Sequence, residues 1–139
     1  RIDVAILDVS GLEAPVLQMS GPIDRGTNTV IAGYPGGGEM TATAARVRGK
    51  LGGDIARGTD IYGKPGVPRE VYALRGKARP GNSGGPLLTA EGKVAGVVYA
   101  QAMDDQDMAF ALTAAQVSKA ISVGRNATQE VSTGQCSRS

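Results

Sequence analysis

The sequence predicts an all-β domain, and three observations lead there. Glycine supplies 21 of the 139 residues, about twice its usual share of roughly 7%. The apolar residues fall in short runs broken by glycine, proline and polar residues, as strands and turns require. Stretches with a helical period are few, and aromatic residues are scarce, with no Trp and one Phe. The length suits one domain with a real core. A net charge of +2, without basic tracts interleaved with aromatics, argues against nucleic acid as a partner. No apolar run approaches the about 20 residues of a membrane span. No leader pattern precedes the first apolar run, so the chain is expected to start inside a folded unit.

The first run, Ile2 to Val9, is apolar and nearly continuous, and it reads as a strand buried on both sides. Residues 11–26 lack a period and contain Pro15 and Pro22, as in a linker. Thr29 to Tyr34 reads as a strand, stopped by Pro35-Gly36-Gly37-Gly38. That glycine cluster is not a phosphate loop, because Glu39 follows it and no helix pattern does. Met40 to Leu51 alternates in part and reads as one or two strands, with Arg46, Arg48 and Lys50 on one solvent face. Gly52 to Pro68 reads as a long irregular loop. Glu70 to Arg75 is the next strand. Pro86-Leu87-Leu88 and Val94 to Ala100 flank a polar turn with Gly92, the pattern of a hairpin. Asp104, Asp105 and Asp107 lack the spacing and closing Glu of a calcium loop. They read as solvated, and neither a metal nor a cofactor is expected. Met108 to Leu112 is the last strand. Thr113 is placed to cap a short helix over Ala114 to Ile121.

Chemistry concentrates in Gly81-Asn82-Ser83-Gly84-Gly85-Pro86-Leu87-Leu88. Glycines on both sides of Ser83 permit a sharp bend. Such a bend exposes the hydroxyl and aims backbone N–H groups into a cavity, as a nucleophile beside an oxyanion hole requires. The stretch also satisfies the G-x-S-x-G elbow of α/β-hydrolases, which must lead directly into a helix. Here Gly84-Gly85-Pro86 and a hairpin follow instead. A serine needs a base, usually histidine, and the sequence contains no histidine. The single cysteine, Cys136, closes no disulfide within the chain. It reads either as a free tail thiol or as half of a bridge to a segment before Arg1. Asn126-Ala127-Thr128 matches a glycosylation sequon by pattern only.

The octapeptide around Ser83 resembles the nucleophile loop of chymotrypsin-like serine proteases, and Asp3-Val4-Ala5-Ile6-Leu7 looks like the segment that carries their triad aspartate. The resemblance implies a double β-barrel, of which this chain holds mainly the second barrel and the last strand of the first. Residues 1–11 would end the first barrel, 12–26 would link the two, 27–112 would form the second, and 113–139 the helix and tail. Ser83 and Asp3 would be catalytic, with the oxyanion held by the N–H groups of Gly81 and Ser83. The substrate pocket would be walled by Lys77, Ala78, Val98, Tyr99, Ala100 and Ala109, favouring small or medium apolar residues before the cut. The histidine would lie on an upstream N-terminal segment, so this chain alone is expected to be inactive. A catalytically dead, protease-like binding module is the rival reading.

A narrower resemblance follows from the order of several segments: Ile31 to Gly38, Asp60-Ile61-Tyr62, Arg69 to Arg75, Gly96-Val97-Val98, Phe110 to Thr113 and Gly134-Gln135-Cys136. Together they are similar to the MarP-like proteases, membrane-anchored periplasmic acid-resistance enzymes of mycobacteria and related actinobacteria. That family implies protein or peptide substrates, export across the inner membrane and tethering by N-terminal helices. It also implies that Cys136 pairs with an upstream cysteine, as an oxidising compartment allows. HtrA-like proteases share the nucleophile loop and are the alternative.

Overall fold

The computed structural model describes residues 3–52, 68–102 and 104–136. Six antiparallel strands close into a barrel: β1 (Asn28–Gly33), β2 (Thr41–Leu51), β3 (Val71–Arg75), β4 (Pro86–Leu88), β5 (Val94–Gln101) and β6 (Met108–Thr113). Around the barrel the order is β1, β2, β3, β6, β5, β4. Closure comes from β1 pairing with β4, Val30 opposite Leu88 and Ile31 opposite Leu87. A closed barrel leaves no unpaired edge among these strands.

The strand pattern read from the sequence holds for all six strands. Met40 to Leu51 resolves into one long strand, kinked by a register shift between Val47 and Gly49. Along it Ala45 and Val47 turn inward while Arg46, Arg48 and Lys50 stay exposed. The interior is filled by Ile31, Val47, Tyr72, Leu74, Leu87 and Val98, with Ala45, Ala95, Ala109 and Ala111 between them. Alternating large and small side chains fill so narrow a lumen without voids. Tyr72 is 2% exposed, and its hydroxyl accepts a hydrogen bond from Ile23 N–H at 3.2 Å, so this buried oxygen is satisfied.

A second apolar cluster lies on the outer wall. Val71 and Leu112 pack there against Val117, with Val4, Met19, Tyr99, Phe110 and Ile121 at its margin. Helix α1 (Ala114–Asn126) covers this wall and starts as expected. The Thr113 side-chain oxygen accepts from Gln116 N–H at 3.2 Å and donates to Glu70 Oε1 at 2.9 Å. The helix runs five residues past the expected end at Ile121. Gly124 is tolerated because the Ile6 side chain occupies the space a Cβ there would need, and Arg125 in the last turn suits the negative helix end.

The strand expected over Ile2 to Val9 is not formed. Residues 3–9 have no regular secondary structure. Ile6, Leu7 and Val9 are 47%, 81% and 54% exposed. A strand needs a neighbour to satisfy its backbone, and every barrel edge is already paired. The segment docks through the side chains of Val4, in the outer cluster, and Ile6, beside Gly124 of α1. Most of the loop expected from Gly52 to Pro68 lies outside the described residues.

Leu74 is fully buried at the centre of the barrel. Leu74→Ala is expected to destabilise the fold by about 2–5 kcal/mol, measured as a lower urea midpoint with an unchanged m-value.

Candidate active site

The loop of residues 76–85 joins β3 to β4 and is tied down at both ends. At its start, Gly76 N–H donates to Asp107 O at 2.8 Å. A turn follows, closed by Asn82 N–H donating to Arg79 O at 2.9 Å. At its exit, Gly84 N–H donates to Val98 O at 2.7 Å, and Val98 N–H donates to Gly85 O at 2.9 Å. The loop thus continues the β4–β5 pairing backward past Pro86. In the middle, Gly36 N–H from the 3₁₀ turn Pro35–Gly37 donates to Pro80 O at 2.7 Å.

These bonds fix where the free amides point. In a trans peptide the C=O and the following N–H face opposite sides, and no peptide bond here is cis. Pro80 O is turned toward Gly36, so the Gly81 N–H faces away from it. Asn82 O accepts from Gly85 N–H at 2.9 Å, so the Ser83 N–H is turned outward as well. Among the described residues neither amide meets an acceptor. Ser83 itself is exposed. Two unpartnered donors, the Gly81 and Ser83 amides, therefore lie on either side of an exposed serine. Gly81 has φ +100°, and a Cβ there would strike Tyr34 O. A Cβ on Gly85 would strike Ala32 O. Side chains at either position would push the loop off the barrel wall.

Asp3 is exposed with φ +62°. Its neighbour Val4 packs in the outer cluster to which Tyr99 belongs. Burial pushes the Tyr99 phenol above its usual pKa; the Arg69 guanidinium works against this, and the Asp3 charge adds to it. Asp3 thus lies within electrostatic reach of Tyr99, one residue along β5 from the Val98 backbone that anchors the Ser83 loop.

Of the residues expected to wall a substrate pocket, Ala78, Val98 and Ala109 are packed into the barrel core at 4%, 1% and 0% exposure. Tyr99 lies on the outer wall beside Phe110, ring centroids 6.3 Å apart. Ala100 stands opposite Phe110 in the β5–β6 register. Lys77 is exposed, 3.9 Å from Asp107 Oδ1. Cys136 is a free, exposed thiol.

Two buried polar residues escape sequence reasoning. Arg69 is 3% exposed, its guanidinium lies 5.4 Å from the Tyr99 ring centroid, and its Nε has no hydrogen-bond partner. Asn82 is 2% exposed and its Oδ1 is likewise unpartnered. Asn82 could have been flagged from its place between Gly81 and Ser83. Nothing in the sequence marks Arg69 as buried.

Comparison with known proteins agrees with this geometry. Residues 1–97 match the family model described as trypsin-like peptidase domain. The chain is 45% identical over 138 residues to the serine protease Rv3671c of Mycobacterium tuberculosis, covering 97% of this chain and 34% of that protein. It is 32% identical over 117 residues to a probable periplasmic serine endoprotease, DegP-like, of Hahella chejuensis, covering 81% of this chain and 23% of that protein. The chain therefore spans about a third or less of the length of these relatives. The active-form crystal structure of the Rv3671c protease superposes with a TM-score of 0.82 at 42% identity, over 91% of this chain and 55% of that one. The match of residues 1–97 to that family model and the 45% identity over 97% of the chain place the chain in the trypsin-like peptidase family.

Proposed function

We propose that this chain is the nucleophile-bearing half of a serine endopeptidase. The observation that supports this most is the pair of unpartnered amides, Gly81 N–H and Ser83 N–H, beside the exposed Ser83 hydroxyl. In the reaction Ser83 Oγ attacks the peptide carbonyl, and the negative charge that develops on the carbonyl oxygen is received by those two amides. Each such donor contributes about 10²–10³ in rate, because it is aimed before the charge appears. The proton of Ser83 goes to a histidine and then to the leaving amine. The sequence has no histidine, so the base comes from outside these 139 residues, on an upstream N-terminal segment. Asp3 orients that histidine and stabilises its charged form. By itself the chain is then unable to turn over substrate.

The exposed apolar residues of the N-terminal stretch support this arrangement. Ile6, Leu7, Val9, Leu12, Val16 and Leu17 are all about half exposed or more, which leaves a row of apolar surface to be covered by the upstream segment. Packing against that segment would give residues 3–9 the strand partner they lack. By analogy with the periplasmic relative, the compartment is extracytoplasmic, with Cys136 bridged to an upstream cysteine. Among the described residues no helix is long and apolar enough to cross a membrane, so an anchor would also lie upstream.

The full-length protein is expected to react with a fluorophosphonate probe at Ser83, and Ser83→Ala to abolish the labelling. Absence of labelling in folded full-length protein would overturn the enzyme reading in favour of a binding module. In the full-length enzyme, Gly81→Ala is expected to lower kcat by about 10²–10³ with a much smaller change in KM, because it displaces one oxyanion donor. Steady-state kinetics on a peptide substrate check this; an unchanged kcat would remove Gly81 from the oxyanion site.

A further inference from the structure

Arg69 is the one charged side chain that the fold buries among the described residues, and the reaction proposed above does not employ it. It is 3% exposed, and its Nε has no hydrogen-bond partner. Among the described residues no carboxylate pairs with it. A buried cation without a carboxylate is costly to keep. What it meets instead is the ring of Tyr99, whose centroid lies 5.4 Å from the guanidinium carbon. Away from water such a cation–π contact is at its strongest. The backbone behind Arg69 is fixed. The next residue, Glu70, donates its N–H to Gln116 Oε1 at 3.3 Å, and its carbonyl accepts from Thr113 N–H at 3.1 Å. Both partners stand at the start of α1.

Tyr99 holds an irregular position in β5. The β5–β6 register pairs Val98 with Ala111 and Ala100 with Phe110, so Tyr99 is the extra residue of a bulge. A bulge interrupts the ladder and leaves its extra residue without a partner across the strands. The placement of Tyr99 therefore falls to side-chain contacts, which Arg69 and the Phe110 ring supply. Val98, just before the bulge, exchanges hydrogen bonds with Gly84 and Gly85 of the Ser83 loop. We propose that Arg69 is a positioning residue for the Ser83 loop, acting through the Tyr99 ring. The buried cation clamps the ring, the ring fixes the β5 bulge, and the bulge sets the Val98 backbone on which the loop hangs. For its effect on catalysis this inference rests on the protease reading; its effect on the loop is measurable without catalysis.

The test uses the full-length protein, with steady-state kinetics on a peptide substrate and amide hydrogen exchange followed by NMR. Arg69→Met removes the charge and keeps most of the bulk. It is expected to lower kcat about tenfold, with a much smaller change in KM, and to speed exchange at the Gly84 and Val98 amides about tenfold or more. Arg69→Lys keeps a cation and should recover most of both. On the other side of the contact, Tyr99→Leu should speed the same two amides, and Tyr99→Phe, which keeps the ring, should not. The double variant Arg69→Met, Tyr99→Leu should exchange no faster than the more affected single variant, as one shared contact requires. Tyr99 is only half-buried, so the Tyr99 variants keep the fold and carry the test should Arg69→Met fail to fold. The proposal is overturned by unchanged kcat or unchanged exchange in folded Arg69→Met. Unchanged exchange in Tyr99→Leu, equal losses in Tyr99→Phe and Tyr99→Leu, or additive effects in the double variant would also overturn it. Wild-type protein that takes no fluorophosphonate would sink the protease reading instead, and exchange at Gly84 and Val98 would still decide whether the clamp holds the loop.

Discussion

The loop around Ser83 is held at its shoulders by two backbone hydrogen bonds, Gly36 N–H to Pro80 O and Gly84 N–H to Val98 O, each 2.7 Å long. The rest of the site depends on them. A planar peptide carries its carbonyl and the next amide on opposite faces, so anchoring the Pro80 carbonyl aims the Gly81 amide. The Gly85 amide does the same for Ser83 through the Asn82 carbonyl. The two amides are thus oriented by hydrogen bonds made elsewhere in the loop.

Those anchors are only as firm as the barrel behind them. Gly36 belongs to the turn between β1 and β2, and Val98 to β5. Neither strand is next to the other, and both are fixed by β4, which pairs with each. β4 is three residues long, and it follows the Ser83 loop directly. Barrel closure and loop geometry are therefore one event: the strand that completes the barrel also pulls the loop between its two anchors. The small interior residues Ala95, Ala109 and Ala111 let the strands approach closely enough for this.

Much of this was readable in the sequence. Short apolar runs broken by glycine, proline and polar residues marked all six strands, Thr113 marked the helix start, and the glycines around Ser83 marked a sharply bent loop. These features are local, set by residues within a few positions of one another. What was not readable depends on distant neighbours. Ile2 to Val9 has the composition of a strand, yet residues 3–9 find no edge to pair with, and composition does not reveal that. Arg69 looks like a surface arginine until β5 brings Tyr99 over it. The fit of Gly124 in α1 involves Ile6, more than a hundred positions away, whose side chain fills the space beside it.

Amide hydrogen exchange, resolved residue by residue by NMR, tests the central claim most directly. The Gly36, Gly84 and Gly85 amides are hydrogen-bonded and should exchange slowly, near the rate of the barrel strands. The Gly81 and Ser83 amides should exchange rapidly although they sit between protected neighbours. Protection at Gly81 or Ser83, or rapid exchange at Gly36 and Gly84, would show a loop arranged differently and would contradict the account.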